Sequence, residues 1–150
     1  MDIMKPLLYI TLAAVLQHTR LLMIGGINPN IVLVLLVVLP YIMARGSGYV
    51  LAVLCSAVLN KTSPTFEITS IALMVAGLMS WYAKSLLAVT GVLRVVFGMI
   101  SATIVFYIIT NANFLATQRM TVIEELLYNT CLASILYYCI THFYVYEAEN

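Results

Sequence analysis

Charge is what this chain has least of: Asp, Glu, Lys and Arg make up 9% of its 150 residues, six acidic and seven basic. A soluble domain of that length covers itself with far more polar surface, so a water-exposed globule is excluded. Cysteine is also scarce, three residues with no Cys-x-x-Cys pair. That pattern supports neither a disulfide framework nor a cysteine zinc site, and Cys55, Cys131 and Cys139 read as small hydrophobes buried in apolar segments. The chain lacks a Gly-x-Ser-x-Gly elbow, a phosphate loop, a His-Glu-x-x-His motif and a pair of carboxylates deep in an apolar run. No enzymatic activity, resident metal or cofactor is therefore expected. No low-complexity stretch, charged tract or internal repeat marks a second domain, and no nucleic-acid partner is expected.

What the chain does have is hydrophobic length. Apolar residues make up 63% of it, and its mean hydropathy is +1.05. A helix crosses roughly 30 Å of hydrocarbon with about 20 apolar residues. The runs read as six crossings: Leu7 to Ile24, Ile31 to Ala44, Tyr49 to Asn60, Ile68 to Ala83, Val92 to Thr110 and Val122 to Phe143. The expected fold is an all-α polytopic transmembrane helix bundle of about six helices, one integral membrane domain over residues 1–150. The second and third runs are short, and a single span broken at Arg45-Gly46-Ser47-Gly48 would leave five crossings. Six is preferred, because Arg45 at mid-membrane is costly whereas a hairpin sets it among headgroups and uses glycine for the turn.

With six crossings Lys5, Arg45, Lys84 and Arg94 lie on one side and Arg20, Lys61 and Arg119 on the other. The positive-inside rule then puts both termini in the cytoplasm, unless Arg20 snorkels from within the first span. The same arrangement puts His18 and His142 on opposite faces, against bis-histidine haem ligation. The first helix reads as retained, because no small-x-small cleavage site precedes Gln17.

Asn28 suits a helix cap, with Pro29 in the first helical position. Residues 60–67 read as an ordered polar turn, and Thr121 with Glu124 as a capping box for the last helix. Trp81, Tyr82 and the tyrosines Tyr128, Tyr137, Tyr138, Tyr144 and Tyr146 read as interfacial belts and packing. Ala72, Ala76 and Ser80 recur beside Gly77, and Gly91 and Gly98 share a face of the fifth run. Small residues let helices approach closely in lipid, either within the bundle or against a partner's helix. Gln17, His18 and Thr19 suggest a hydrogen-bonded knot between helices. The expected helix-interface residues are Gln17, Asn60, Ala72, Ala76, Gly77 and Gly98.

Leu16-Gln17-His18-Thr19 followed by Asn28-Pro29-Asn30-Ile31 resembles the bacterial rod-shape-determining MreD family, whose Leu-Gln-Ser-Thr-like segment precedes Pro-Asp/Asn-Leu. The likeness runs on through Gly48 and Asn60-Lys61-Thr62-Ser63-Pro64 to Ala76-Gly77. It implies a six-helix fold similar to the substrate-binding S components of energy-coupling-factor transporters. It also implies a multi-pass protein of the bacterial cytoplasmic (inner) membrane, acting as a non-enzymatic scaffold for cell elongation and peptidoglycan synthesis. Its partners would be an MreC-like single-pass protein, possible neighbours RodA and a class B penicillin-binding protein, and the surrounding membrane lipid. Two other readings stay open. One is a vitamin-transporter S component whose outer mouth is formed by Gln17, His18, Asn60, Thr62 and Glu67. The other is a small accessory subunit of a larger membrane complex.

Overall fold

The run Ile31–Pro40 is apolar on every face, and a helix of that kind needs cover all round, from other elements or from lipid. The computed structural model, which describes residues 4–43, 46–60, 67–86 and 91–149 (side chains of 5, 6, 42 and 143–149 excepted), shows the former. Six helices follow one another: α1 Met4–Thr19, α2 Ile31–Ile42, α3 Gly46–Leu59, α4 Ile68–Leu86, α5 Val92–Thr117 and α6 Arg119–Glu149. Every residue from Ile31 to Pro40 is buried, because α2 is the axis and the other five helices pack around it. The ring runs α1–α3–α4–α5–α6 and stays open, since α1 and α6 do not meet. Among the described residues one helix, α5, is long and apolar enough to cross a membrane by length and composition; α1, α2 and α3 contribute shorter apolar stretches.

Several boundaries differ from the sequence expectation, each for a local reason. The first helix ends at Thr19, not Ile24, because Arg20 turns to φ 54°. Gly25 and Gly26 then take φ 61° and 86° between Ile24 and Ile27, whose backbones exchange hydrogen bonds of 3.1 and 3.0 Å. Positive φ at both central residues is the tight hairpin geometry that glycine permits. The cap of α2 is Asn30, not Asn28: its side chain accepts from Leu33 N at 3.1 Å. Asn28 instead donates to the Gln17 carbonyl at 3.4 Å, and Pro29 lies outside the helix. α2 and α3 are separate helices, with Met43 extended after α2 at ψ 126°; Arg45 lies outside the described residues. No capping box forms at Thr121 and Glu124, because α6 already begins at Arg119. The loop expected after Thr110 is helical apart from a kink at Asn111, whose Oδ1 accepts from Phe114 N at 3.1 Å and restarts the helix. Cys55 is half-buried and Cys131 and Cys139 are exposed, not buried as expected, since they fall on the outer sides of α3 and α6.

Pro40 leaves a specific gap in α2. Having no N–H, it cannot bond the Leu36 carbonyl one turn earlier, and a buried orphan carbonyl is costly. The gap is closed from α3: Tyr49, completely buried, places its hydroxyl 2.7 Å from Leu36 O and 2.6 Å from Gly77 O. One hydroxyl proton is thus shared between carbonyls of α2 and α4. Trp81 stacks on the Tyr49 ring at 5.1 Å, and Lys84 donates to the Pro40 carbonyl at 2.5 Å. A cation at a helix C-terminus also suits the helix dipole. Tyr49→Phe keeps the ring and leaves the Leu36 carbonyl without a donor, and it is expected to cost about 1–3 kcal/mol. Thermal unfolding of the purified variant checks this, and an unchanged midpoint would refute the bridging role.

Candidate functional site

Two features of the bundle are open to other molecules. The first is a polar cavity of about 350 Å³ at the end where α1 finishes and α2 begins. Gln17, His18, Asn60 and Glu67, far apart in sequence, all line it, together with Arg20, Asn28 and Asn30. Thr62 lies outside the described residues. Gln17 ties α1 to α2: its Oε1 accepts from Val32 N at 3.1 Å, so an α1 side chain satisfies an amide in the first turn of α2. Asn60 donates from Nδ2 to Ser56 O at 3.0 Å, within its own helix. His18 Nδ1 lies 2.8 Å from the Ala14 carbonyl. Arg20 sits on the rim in the left-handed region, a conformation that costs a non-glycine residue about 1–2 kcal/mol.

The cavity is backed by a network absent from the sequence expectation. Asn129, fully buried on α6, accepts from Asn30 N at 3.0 Å and donates to Glu125 Oε1 at 3.4 Å. Glu125 in turn accepts a hydrogen bond from the Tyr107 hydroxyl of α5. α2, α5 and α6 are thereby joined behind the cavity wall. The available signal was the spacing of Glu125 and Asn129, four residues apart and so on one face of a helix that is otherwise mostly apolar.

The second feature is an apolar seam of about 330 Å³ where the ring is open, with Leu12 and Leu16 of α1 on one wall, Leu132 and Leu136 of α6 on the other, and Val34 and Leu35 of α2 at its base. It follows α1 from Tyr9 to Leu16 and α6 from Leu132 to Ile140, about two helical turns. None of the six expected interface residues lines this seam. Ala72 and Ala76 are fully buried inside the bundle. A Cβ added to Gly77 would stand 2.9 Å from Val53 Cγ2 and 3.5 Å from Leu36 Cδ1, so this glycine sets the approach of α4 to α3 and α2. A Cβ added to Gly98 would stand 3.4 Å from Val37 Cγ1 of α2, and Gly98 also lines a fissure between α4 and α5, with Ser80 and Ala83.

No protein-family model, curated protein or solved structure matches the chain, so the chemistry of both features rests on its own residues.

Proposed function

We propose that the chain is a polytopic membrane protein acting as a non-enzymatic scaffold of bacterial cell elongation, and that the open α1–α6 seam receives a transmembrane helix of an MreC-like partner. Support for the membrane comes from the outside of the bundle. Leu8 is 65% exposed, Val58 62%, Leu127 61% and Ile135 61%, on three different helices. Water-soluble surfaces do not carry apolar side chains this continuously. In the most apolar window of α5, 28% of residues are buried, whereas the core helix of a soluble protein would be mostly buried. Both termini are read as cytoplasmic.

The seam is the observation that carries the partner reading. In lipid, helices associate through close packing because hydrocarbon competes equally for apolar surface. A groove two turns long, with walls already fixed by α2, offers preformed complementarity to one more helix. Ala72, Ala76 and Gly77 are consumed by internal packing, so the partner meets α1 and α6 instead. RodA and a class B penicillin-binding protein would join through that partner.

The test is co-purification of a tagged MreC-like protein with the double variant Leu12→Trp/Leu136→Trp, which fills the seam from its two walls. Capture is expected to fall at least tenfold while the bundle elutes as a folded species. Undiminished capture sinks the seam, and loss on Gly98→Leu with capture retained by the seam variant would move the docking site to the α4–α5 fissure.

A further inference from the structure

The side-chain amides around the polar cavity divide into two kinds, and backbone partners fix which way each one is turned. Gln17 and Asn30 have their oxygens committed to backbone N–H groups, of Val32 and Leu33, each at 3.1 Å. An oxygen must face an N–H, so the group each still offers is its NH2. Asn28 and Asn60 are the reverse. Their nitrogens are committed to the carbonyls of Gln17 and Ser56, at 3.4 and 3.0 Å, so each is turned with its oxygen away from that bond. Among the described residues Asn28 Oδ1 is fully buried without a hydrogen-bond partner, and a buried acceptor left unmatched is costly. Asn30 is 8% exposed, with its backbone N–H held by Asn129 and its side-chain oxygen by Leu33 N, so its NH2 is a fixed rather than adaptable donor.

Amide donors, amide acceptors and the Arg20 guanidinium in one cavity define a ligand of mixed polarity. A simple anion is disfavoured, because the first-turn amides of α2 that would cradle it are already bonded to Gln17 and Asn30. We propose that this cavity binds a small zwitterion, its ammonium donating to the amide oxygens of Asn28 and Asn60 and its anionic group received by Arg20 and the amides of Gln17 and Asn30. Leu73 and Phe106 supply an apolar wall, so a compact hydrophobic substituent is accepted beside the charged centre. The same chemistry exists in a free apolar amino acid and in the phosphoethanolamine headgroup of a lipid. This inference is independent of partner docking at the seam, which lies on a different set of residues.

Two arms distinguish the sources. Thermal unfolding of the full chain in detergent is followed with millimolar L-leucine, L-phenylalanine or phosphoethanolamine, and with phosphocholine, which has no N–H to give Asn28. In parallel the chain is placed in phosphatidylglycerol nanodiscs with added phosphatidylethanolamine or phosphatidylcholine. Binding to the folded state raises the midpoint through mass action. A rise with a free amine zwitterion assigns a soluble ligand; a rise confined to phosphatidylethanolamine discs assigns the lipid. No rise in either arm, or an equal rise with the choline compounds, overturns the proposal. Arg20→Gly relieves the left-handed backbone, so it should raise the unliganded midpoint yet weaken ligand binding at least tenfold. Asn28→Leu should abolish the ligand-induced rise, and a rise of wild-type size in both variants places the ligand elsewhere and overturns the assignment.

Discussion

Gly77→Leu is expected to separate α4 from α3 and α2 and to lower stability by about 3 kcal/mol or more, the upper end of what overpacking costs. The Cβ alone would fall 2.9 Å from Val53 Cγ2, inside any real carbon–carbon contact, and leucine adds three further carbons in that direction. Val53 cannot turn away cheaply, because a β-branched side chain in a helix has essentially one rotamer. The displacement would also draw the Gly77 carbonyl off the Tyr49 hydroxyl, now 2.6 Å away, so a packing fault becomes a hydrogen-bonding fault. The unfolding midpoint in detergent reads the effect. Val53→Ala in the same background should restore much of the loss, because it removes the methyl groups that clash. If Gly77→Leu unfolds at the wild-type midpoint, or Val53→Ala gives no rescue, the close α3–α4 contact is refuted.

Asn129→Leu removes the buried hub behind the polar cavity and is expected to cost about 3 kcal/mol. The shape is nearly conserved, so the loss is polar: the Asn30 N–H has no acceptor and Glu125 loses one of its two donors, each unmatched buried group costing about 1–3 kcal/mol. Asn129 is one member of a network that joins three helices, and a partly satisfied buried network is costly. Asn129→Asp should be at least as damaging despite its equal size. Asn129 Nδ2 now donates to Glu125 Oε1 at 3.4 Å, and the variant would set a second carboxylate there. Both variants are compared with wild type by the same unfolding assay. If Asn129→Asp is as stable as wild type, the hub does not pair with Glu125 as described.

Some of this architecture was legible in the order of residues. Hydrophobic run length gave the approximate place of each helix, and the choice of six over five rested on Arg45 and its nearby glycines; six helices form. The all-apolar face of Ile31–Pro40 marked a helix needing cover on every side. The grouping of Gln17, His18, Asn60 and Glu67 at one end followed from alternating helix direction, and the cavity brings all four together.

Other features depended on packing. Whether Ala72, Ala76 and Gly77 serve the bundle or a partner is a question of which face turns inward, and four-residue spacing is identical in both cases. The helix cap moved from Asn28 to Asn30 because Gly25-Gly26 formed a tight hairpin that set where the chain re-enters the bundle. The network of Glu125 and Asn129 forms only where α5 and the start of α2 bring Tyr107 and the Asn30 amide against them. The sequence by itself determined an all-helical chain with apolar faces inside and out, since composition and run length act locally and summed along the chain. Only the tertiary structure decided that α2 is the axis, that Tyr49 serves the carbonyl Pro40 leaves unbonded, and that the ring stays open between α1 and α6. Those outcomes require residues distant in the chain to compete for the same space and the same hydrogen bonds.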